Sequence, residues 1–522
     1  MIKRSFFIEQ KYYFFLVLLI LSSSIFSIFF LQYVYDGHHH GLMYSNAIDL
    51  LNGKSPFKEI FIQYGLLSTI FHSLSLLLFG KQIFSLHIIT VLFYSLSILF
   101  IFQIIKKTIN EKYALLGVFV LLSQHAIPAL PWPNYISYFF ITASVLSFIN
   151  DQKYSSLIAG VLLSLSVLAR HDYFIPIFFT LIIFIVAYFI SIKSITRPKN
   201  LSNLLIGFFL PFFIFILYLF YVNIFNEWAR YLLLPSMYLE NNDITAISLV
   251  YNFVIFFLSE SFINFINSPQ HLLVSIILIF NTILLARFFI VKNFNLLFIA
   301  ILTLCLSAIG LSTELFRLYT SVSLGVIVLI YFISQIKSND YRKFFVFLIL
   351  ITSLFSLIFY PSGNYINFNK TKIIKDFDIP ASKIFTFNKF SRHQVGILDK
   401  IYDLRNQLLT NCNIKYGENL TFDAYFANIL DLQGVKLMPY MKSDDKNSVI
   451  NKFYDSGFVD KINKLLKEDN IILLITENND IFDEGSIIFD YNYDYQTINL
   501  NPADDKPFEL KFYYPKKCLI KS

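Results

Sequence analysis

The chain has 522 residues, 56% of them hydrophobic and only 15% charged, with 61 phenylalanines, whereas a soluble domain carries about 25% charged residues. Residues 361–522 hold 21 Lys and Arg against 22 Asp and Glu, which leaves 21 basic and 13 acidic groups of the total 42 and 35 for residues 1–360; the formal charge of +7 divides into +8 at the front and −1 at the back. These figures exclude a wholly soluble enzyme, a disordered chain and a disulfide-rich miniprotein, and they argue against a nucleic-acid partner, because the basic excess is dispersed between apolar runs.

A bilayer core is about 30 Å thick and takes roughly 20 apolar helical residues to cross. Runs of this kind recur at Tyr12–Leu31, Ile83–Ile105, Tyr113–Gln124, Tyr135–Phe148, Ser155–Ala169, Tyr173–Ile192, Leu204–Ile224, His271–Val291, Phe294–Leu311, Leu318–Ile336 and Phe344–Tyr360. They predict a multi-span α-helical membrane protein of about 11 spans over residues 1–360. Leu66–Phe79 and Leu249–Phe265 read either as further spans or as interfacial helices. The first run lacks a cleavage site and reads as a retained anchor. With the N-terminus (Lys3, Arg4, Lys11) in the cytoplasm, alternate loops carry Lys106, Lys107 and Lys112, then Lys153, then Lys193, Arg197 and Lys199, then Arg287 and Lys292, then Lys337, Arg342 and Lys343. The opposite loops are poor in Lys and Arg, so the positive-inside rule predicts an inner-membrane protein whose residues after Tyr360 lie outside.

In the first outer segment, residues 32–70, a short helix is expected from His38 to Leu51, with Tyr44, Ile48 and Leu51 forming one apolar stripe along the headgroup layer. Gly53 supplies its stop and Pro56 prevents continuation. In the second segment, residues 226–243, Trp228 and Tyr231 suit the membrane–water interface. The tail, residues 361–522, reads as a soluble extracytoplasmic α/β domain. Strands are predicted at Lys383–Phe387, Gly434–Met438, Ile471–Thr476, Ser486–Tyr491 and Phe508–Tyr513, and helices at His393–Asn411 and Ser448–Lys467. Cys305 sits in an apolar run, whereas Cys412 and Cys518 share the tail and form a candidate disulfide if that compartment is oxidising.

Two clusters carry candidate chemistry. Asp36 follows the first span directly and precedes His38, His39 and His40. A carboxylate there can serve as general base toward a hydroxyl, and the histidines can orient the acceptor, carry protons or, as Asp36, His39 and His40, hold a divalent cation. The alternative is a solvated acid that caps the following helix. Consecutive helical histidines point about 100° apart, so at most two could easily share an ion. Tyr44, Gln63 and Tyr64 lie close by in sequence and join the acceptor-orienting candidates. The second cluster is Arg170-His171-Asp172, wedged between apolar runs at a membrane boundary, where charge is costly unless solvated or paired. Arg170 with His171 suits a phosphate, and the alternative is an internal Arg170–Asp172 pair. Arg317, beside Glu314, and Arg230 are further phosphate candidates. Trp132 reads as an interface anchor or a sugar-stacking ring.

Together these features resemble the GT-C glycosyltransferases, a superfamily that includes protein O-mannosyltransferases and lipid A aminoarabinose transferases. Asp36 matches that family's acid after the first span, the stretch DGHHHGLMYSNAIDLLNGKSPFKEIFIQYG matches its juxtamembrane helices, and residues 361–522 match its terminal domain. Gly37 stands where a second acid is common. The resemblance implies a polyprenyl-phosphate-linked sugar donor, inverting transfer to a glycan, lipid or protein acceptor, and in some members a divalent metal. The rival readings are an O-antigen-type polymerase or ligase and a transporter of lipid-linked sugars. The folded tail counts against the first. The lack of matching halves and of mid-span acids counts against the second.

Overall fold

The computed structural model describes residues 2–31, 39–124, 131–150, 152–191, 200–232, 251, 254, 269–287, 293–312, 320–363, 373–374, 390–420, 432, 464–476, 493–499 and 509–518. The protein is mostly helical. The apolar runs become α1 (Ile2–Leu31), α2 (His39–Leu51), α3 (Leu66–Phe79), α4 (Ile83–Thr108), α5 (Glu111–Gln124), α6 (Pro133–Ile149), α7 (Ser155–Ala169), α8 (Phe174–Ser191), α9 (Leu201–Tyr221), α10 (Pro269–Ala286), α11 (Phe294–Ser312), α12 (Val326–Ser334) and α13 (Asn339–Gly363). Helical segments at 10–29, 83–108, 171–190 and 201–221 are long and apolar enough to cross a membrane, and six other apolar helices are shorter. At 1.5 Å per residue, the 15 residues of α7 reach only about 22 Å. Pro133 starts α6, and an extended Arg170 (φ −148°) ends α7. Eleven spans were expected; four described segments meet the length and hydropathy of a crossing helix.

Burial sorts the helices. α1, α8 and α9 turn large apolar side chains outward, among them Ile25, Phe189 and Ile214. α4 lies inside, with Ile98, Ile101, Phe102, Ile104 and Ile105 fully buried in the main core. Many polar side chains in this bundle bond to backbone, as a medium without water favours. Ser97 and Thr303 donate to their own helices, at Phe93 O and Ile299 O (2.8 Å each). Ser137 and Ser144 of α6 donate across to Ser166 O (2.9 Å) and Ala159 O (2.7 Å) of α7. α7 and α9 cross with backbones in contact. A Cβ on Gly160 would strike Leu204 O, and one on Gly207 would strike Leu157 O. Small residues permit this approach in membrane helices.

Lys106 and Lys107 tie several elements together at one end of the bundle. Lys106 donates to the Tyr13 hydroxyl (3.2 Å) and pairs with Glu111 (3.4 Å), and Lys107 bonds Asn150. These contacts bring α1, the α4–α5 turn and the α6–α7 turn together, in agreement with the alternation of charge along the loops.

In the tail, α14 (Arg392–Asn411) buries Ile397, Leu398, Ile401, Leu404 and Leu408, one helical face. β1 (Ile373–Ile374) pairs with β2 (Phe390–Ser391). A mixed four-stranded sheet has the order β3 (Tyr416–Leu420), β4 (Ile471–Thr476), β6 (Glu509–Pro515), β5 (Tyr493–Asn499). β3 runs parallel to β4, with Tyr416 opposite Ile471, while β6 is antiparallel to β4 and β5. Cys412 and Cys518 form a disulfide that links the end of α14 to the chain after β6. The expected strands at Lys383–Phe387, Gly434–Met438 and Ser486–Tyr491 lie outside the described residues, as does most of the Ser448–Lys467 helix. Apolar residues of α14 and this sheet belong to one hydrophobic cluster with Leu42, Phe57, Phe61, Trp228 and Tyr231 from the membrane part.

Candidate active site

The Arg170 cluster meets the later part of the first outer segment, at the end of the bundle opposite Lys106 and Lys107. The chain after α2 returns through Phe57–Gly65 and seats its Gln63-Tyr64-Gly65 segment on the end of α7. The His171 N–H donates to Tyr64 O (2.9 Å), and Ser68 Oγ donates to Ala169 O (2.5 Å). Gly65 is extended (φ −166°), so its role is steric: a Cβ there would strike the Ala169 carbonyl.

Arg170 is 2% exposed. It leaves the helix in extended conformation, and its side chain folds forward onto Asp172 of the following 3-10 turn, His171–Tyr173. Nε donates to Asp172 Oδ1 and Nη2 to Oδ2, each at 2.7 Å. The guanidinium carbon lies 5.5 Å from the Tyr64 ring centroid and 4.9 Å from that of Tyr173. A planar fork matched to a carboxylate and faced by aromatic rings is chemistry that Lys cannot reproduce. His171 is buried beside it.

α2 lies over this end. His39 is half-buried and edge-on to Trp132, 5.2 Å between centroids. His40 is fully buried, and its Nε2 is 3.1 Å from Nε2 of His87 on α4. Neighbouring histidines thus turn to different partners, as the 100° helical step requires. Among the described residues, no group of three His, Cys, Asp or Glu is arranged to hold a metal ion. His39 and His40 face different partners, and Asp36, the third member of the expected metal set, lies outside the described residues. The start of α6 is tied by Asn134 Nδ2 to Thr320 Oγ1 (3.3 Å), just beyond the segment that holds Arg317.

Two expectations about local structure change. α2 does not present a single apolar stripe: residues from His40 to Ala47 are buried consecutively. It is held on several sides, with Asn46 Nδ2 donating to Phe61 O (2.7 Å), Ser73 Oγ to Ala47 O (3.0 Å) and the Tyr44 hydroxyl to Lys81 O (3.0 Å). Tyr44 is therefore committed to packing, and burial pushes its phenol well above the ordinary range. Gly53 takes positive φ (81°) as the expected stop, and Asp49 pairs with Lys54 at 2.6 Å. Trp228 and Tyr231 are not rings at a water interface. Both are buried, Trp228 against Phe212, Phe215 and Phe225, and Tyr231 against Phe57 and Phe61. Arg230, between them on the helix at 225–232, is exposed.

Asp36, His38, Glu314 and Arg317 lie outside the described residues. Gln63 is half-buried and Tyr64 is buried at the α7 contact. Two further histidines escaped notice in the sequence: His87, the partner of His40, and His72 of α3, whose ring nitrogens have no hydrogen-bond partner among the described residues. Each is an ionisable side chain inside an apolar helix, a signal of the same kind that singled out Arg170.

No protein-family model and no curated protein matches the sequence. Solved structures do. ArnT from Cupriavidus metallidurans, solved bound to undecaprenyl phosphate, superposes with a TM-score of 0.53 at 9% identity, covering 97% of this chain and 99% of that one. Its apo form gives 0.52 at 8% identity over the same shares. The apo oligosaccharyltransferase from Archaeoglobus fulgidus gives 0.52 at 12% identity, covering 89% of this chain and 69% of that one.

The fold is shared with ArnT and with the archaeal oligosaccharyltransferase. At such low identity this likeness fixes architecture and transfers no residue roles. It covers almost the whole chain, tail included, as the sequence resemblance did in architecture; residue by residue that resemblance was confined to about thirty positions around the first loop.

Proposed function

We propose that the protein is an inverting glycosyltransferase that moves a sugar from a polyprenyl-phosphate donor to an envelope acceptor on the outer face of the membrane. The observation that carries this reading is the end-to-end likeness to ArnT, a protein solved with undecaprenyl phosphate bound. The convergence of the first-loop residues and the Arg170 cluster at one end of the bundle supports a site there.

In this reading Asp36, three residues before His39, accepts the proton of the acceptor hydroxyl. The acceptor oxygen forms its bond to the anomeric carbon as the carbon–oxygen bond to phosphate breaks on the opposite face. The product is an inverted glycoside and free polyprenyl phosphate, and no covalent enzyme intermediate is needed. Charge grows on the leaving phosphate, so preorganised cations there lower the barrier. Arg317 and Arg230 are assigned that role. Arg170 already bonds Asp172 through two nitrogens, which supports a positioning role for it and for His171: they hold the Tyr64 segment. His38, His39 and Gln63 orient the acceptor. The tail disulfide favours an oxidising compartment for residues 361–522, consistent with a site on the outer face.

The test is mass spectrometry of lipid-linked sugars and envelope glycans from cells with and without the protein. Loss of the protein should remove a sugar from one envelope glycan and leave a polyprenyl-phosphate sugar in excess. Identical profiles would sink the reading.

A further inference from the structure

At the lysine-bearing end, far from the Arg170 cluster, a groove of about 730 Å³ runs between α1, α5 and α13. Its walls are apolar, with Phe15, Phe347 and the Tyr113 ring among them, and its mouth carries Lys112, Arg342 and Lys343. Phe347 is 60% exposed, so the groove is open on its side. Among the described residues none of the three cations has an ion-pair partner. Arg342 donates from Nη2 to the Asn339 side chain (3.0 Å). Of the carboxylates here whose side chains are described, Glu111 is engaged by Lys106 and Asp340 is exposed on the first turn of α13. In the sequence, Glu9 of α1 and Asp151 add two acids against Lys3, Arg4 and Lys11 on the same stretch of α1. The mouth therefore carries net positive charge directly above an apolar trough.

We propose that this groove binds one anionic glycerophospholipid, its phosphate held by Lys112, Arg342 and Lys343 and its acyl chains laid along Phe15 and Phe347. The chemistry recognised is a phosphodiester attached to two hydrocarbon chains. A basic mouth alone would hold a soluble anion, and an apolar groove alone would hold any lipid; the two together select a charged one. Basic pockets between helices at the cytoplasmic surface take anionic headgroups for this reason. The site is separate from sugar transfer, so it stands or falls independently of that reading.

The experiment uses the purified full-length chain, stripped of lipid in detergent and titrated with phosphatidylglycerol or with phosphatidylcholine of the same acyl chains. Native mass spectrometry reads retained lipid. One phosphatidylglycerol should be retained per chain in preference to phosphatidylcholine. Lys343→Ala, at an exposed position that tolerates the change, should weaken its retention about fivefold, the factor equivalent to about 1 kcal/mol per basic side chain at an anionic surface. Lys112→Ala with Lys343→Ala should weaken it further. The control pair Lys153→Ala with Lys337→Ala removes two exposed cations that do not line the groove and should change nothing. Equal retention of the two lipids, an equal loss in the control pair, full competition by glycerol phosphate without acyl chains, or preferential capture of polyprenyl phosphate would each overturn the proposal.

Discussion

Arg170 and Asp172 close a two-pronged ion pair, 2.7 Å on each prong, across the point where α7 stops and α8 begins. The pair lets a guanidinium that is 2% exposed sit between Tyr64 and Tyr173. Removing one partner leaves the other charge buried and uncompensated, which costs about 3–5 kcal/mol in enclosed pairs. Asp172, at 16% side-chain exposure, keeps some access to water and places this pair at the lower end of that range. Asp172→Asn should therefore lower thermal stability in detergent substantially. Arg170→Lys should recover only part of what Arg170→Ala loses, because a lysine offers no second prong. Equal melting points for Arg170→Lys and the parent chain would contradict the geometry.

Gly65 has no room for a side chain over Ala169. Gly65→Ala should push the Tyr64 segment off the end of α7 and break the His171–Tyr64 backbone bond. Transfer activity should fall more than tenfold, roughly the scale of small displacements at a reacting centre. Folded yield should change much less, since the contact lies at the edge of the main core. Activity within twofold of the parent would show that this contact does not shape the site.

Asp36→Asn is the direct probe of the proposed base. It removes proton acceptance while keeping size, and loss of general base catalysis costs about 10²–10⁴ in rate. Insertion and abundance should be unchanged. Arg317→Ala and Arg230→Ala should weaken donor use. If neither alters the dependence on donor concentration, the phosphate assignment fails.

Reduction of Cys412–Cys518 releases a closure spanning 106 residues. Loop-closure entropy at that length is about 4–5 kcal/mol, an amount that measured disulfides often fall short of. Cys412→Ser should loosen the β3–β4–β6–β5 sheet and expose residues 361–522 to protease while the helical bundle stays intact. Unchanged protease resistance would mean that the sheet holds without its staple.

Burial raises the pKa of Asp49, and the Lys54 ammonium, bonded at 2.6 Å, opposes that rise without cancelling it. A carboxyl whose folded pKa exceeds its unfolded value near 3.9 favours the fold below that value and loses this contribution as pH rises through the folded pKa. Asp49→Asn should leave stability unchanged at acidic pH and raise it modestly near neutrality. A melting-point difference independent of pH would show that titration of Asp49 is not involved.

The sequence revealed the helices because each apolar run must satisfy its own backbone in lipid, and few other structures can do so. It revealed the Arg170 cluster because charge between apolar runs demands an explanation, but not which explanation holds. That depends on Asp172 two residues on and on Tyr64 more than a hundred residues earlier, a contact that local patterning cannot express. The consecutive burial of His40–Ala47 in α2 escaped for a similar reason. Ser45 and Asn46 look solvent-facing until Asn46 bonds the Phe61 carbonyl and Ser73 of α3 bonds the neighbouring Ala47 carbonyl. In the tail, Ile471–Thr476 was legible as a central apolar strand. Tyr416–Leu420 and Tyr493–Asn499 were not, because as edge strands they carry Gly, Glu, Asp, Gln and Asn on a face that needs no core. The Cys412–Cys518 pairing was visible only as a possibility, since separation along the chain says nothing of separation in space.

Gly160 and Gly207 let two helices touch main chain to main chain, with nothing compressible between them. α7 ends at Arg170, so the alignment of that guanidinium depends on the contact with α9, whose other side turns large apolar side chains outward. A methyl group added at Gly207 would act as a shim, tilting the neighbouring rod and retuning chemistry at its tip without contacting any reactant.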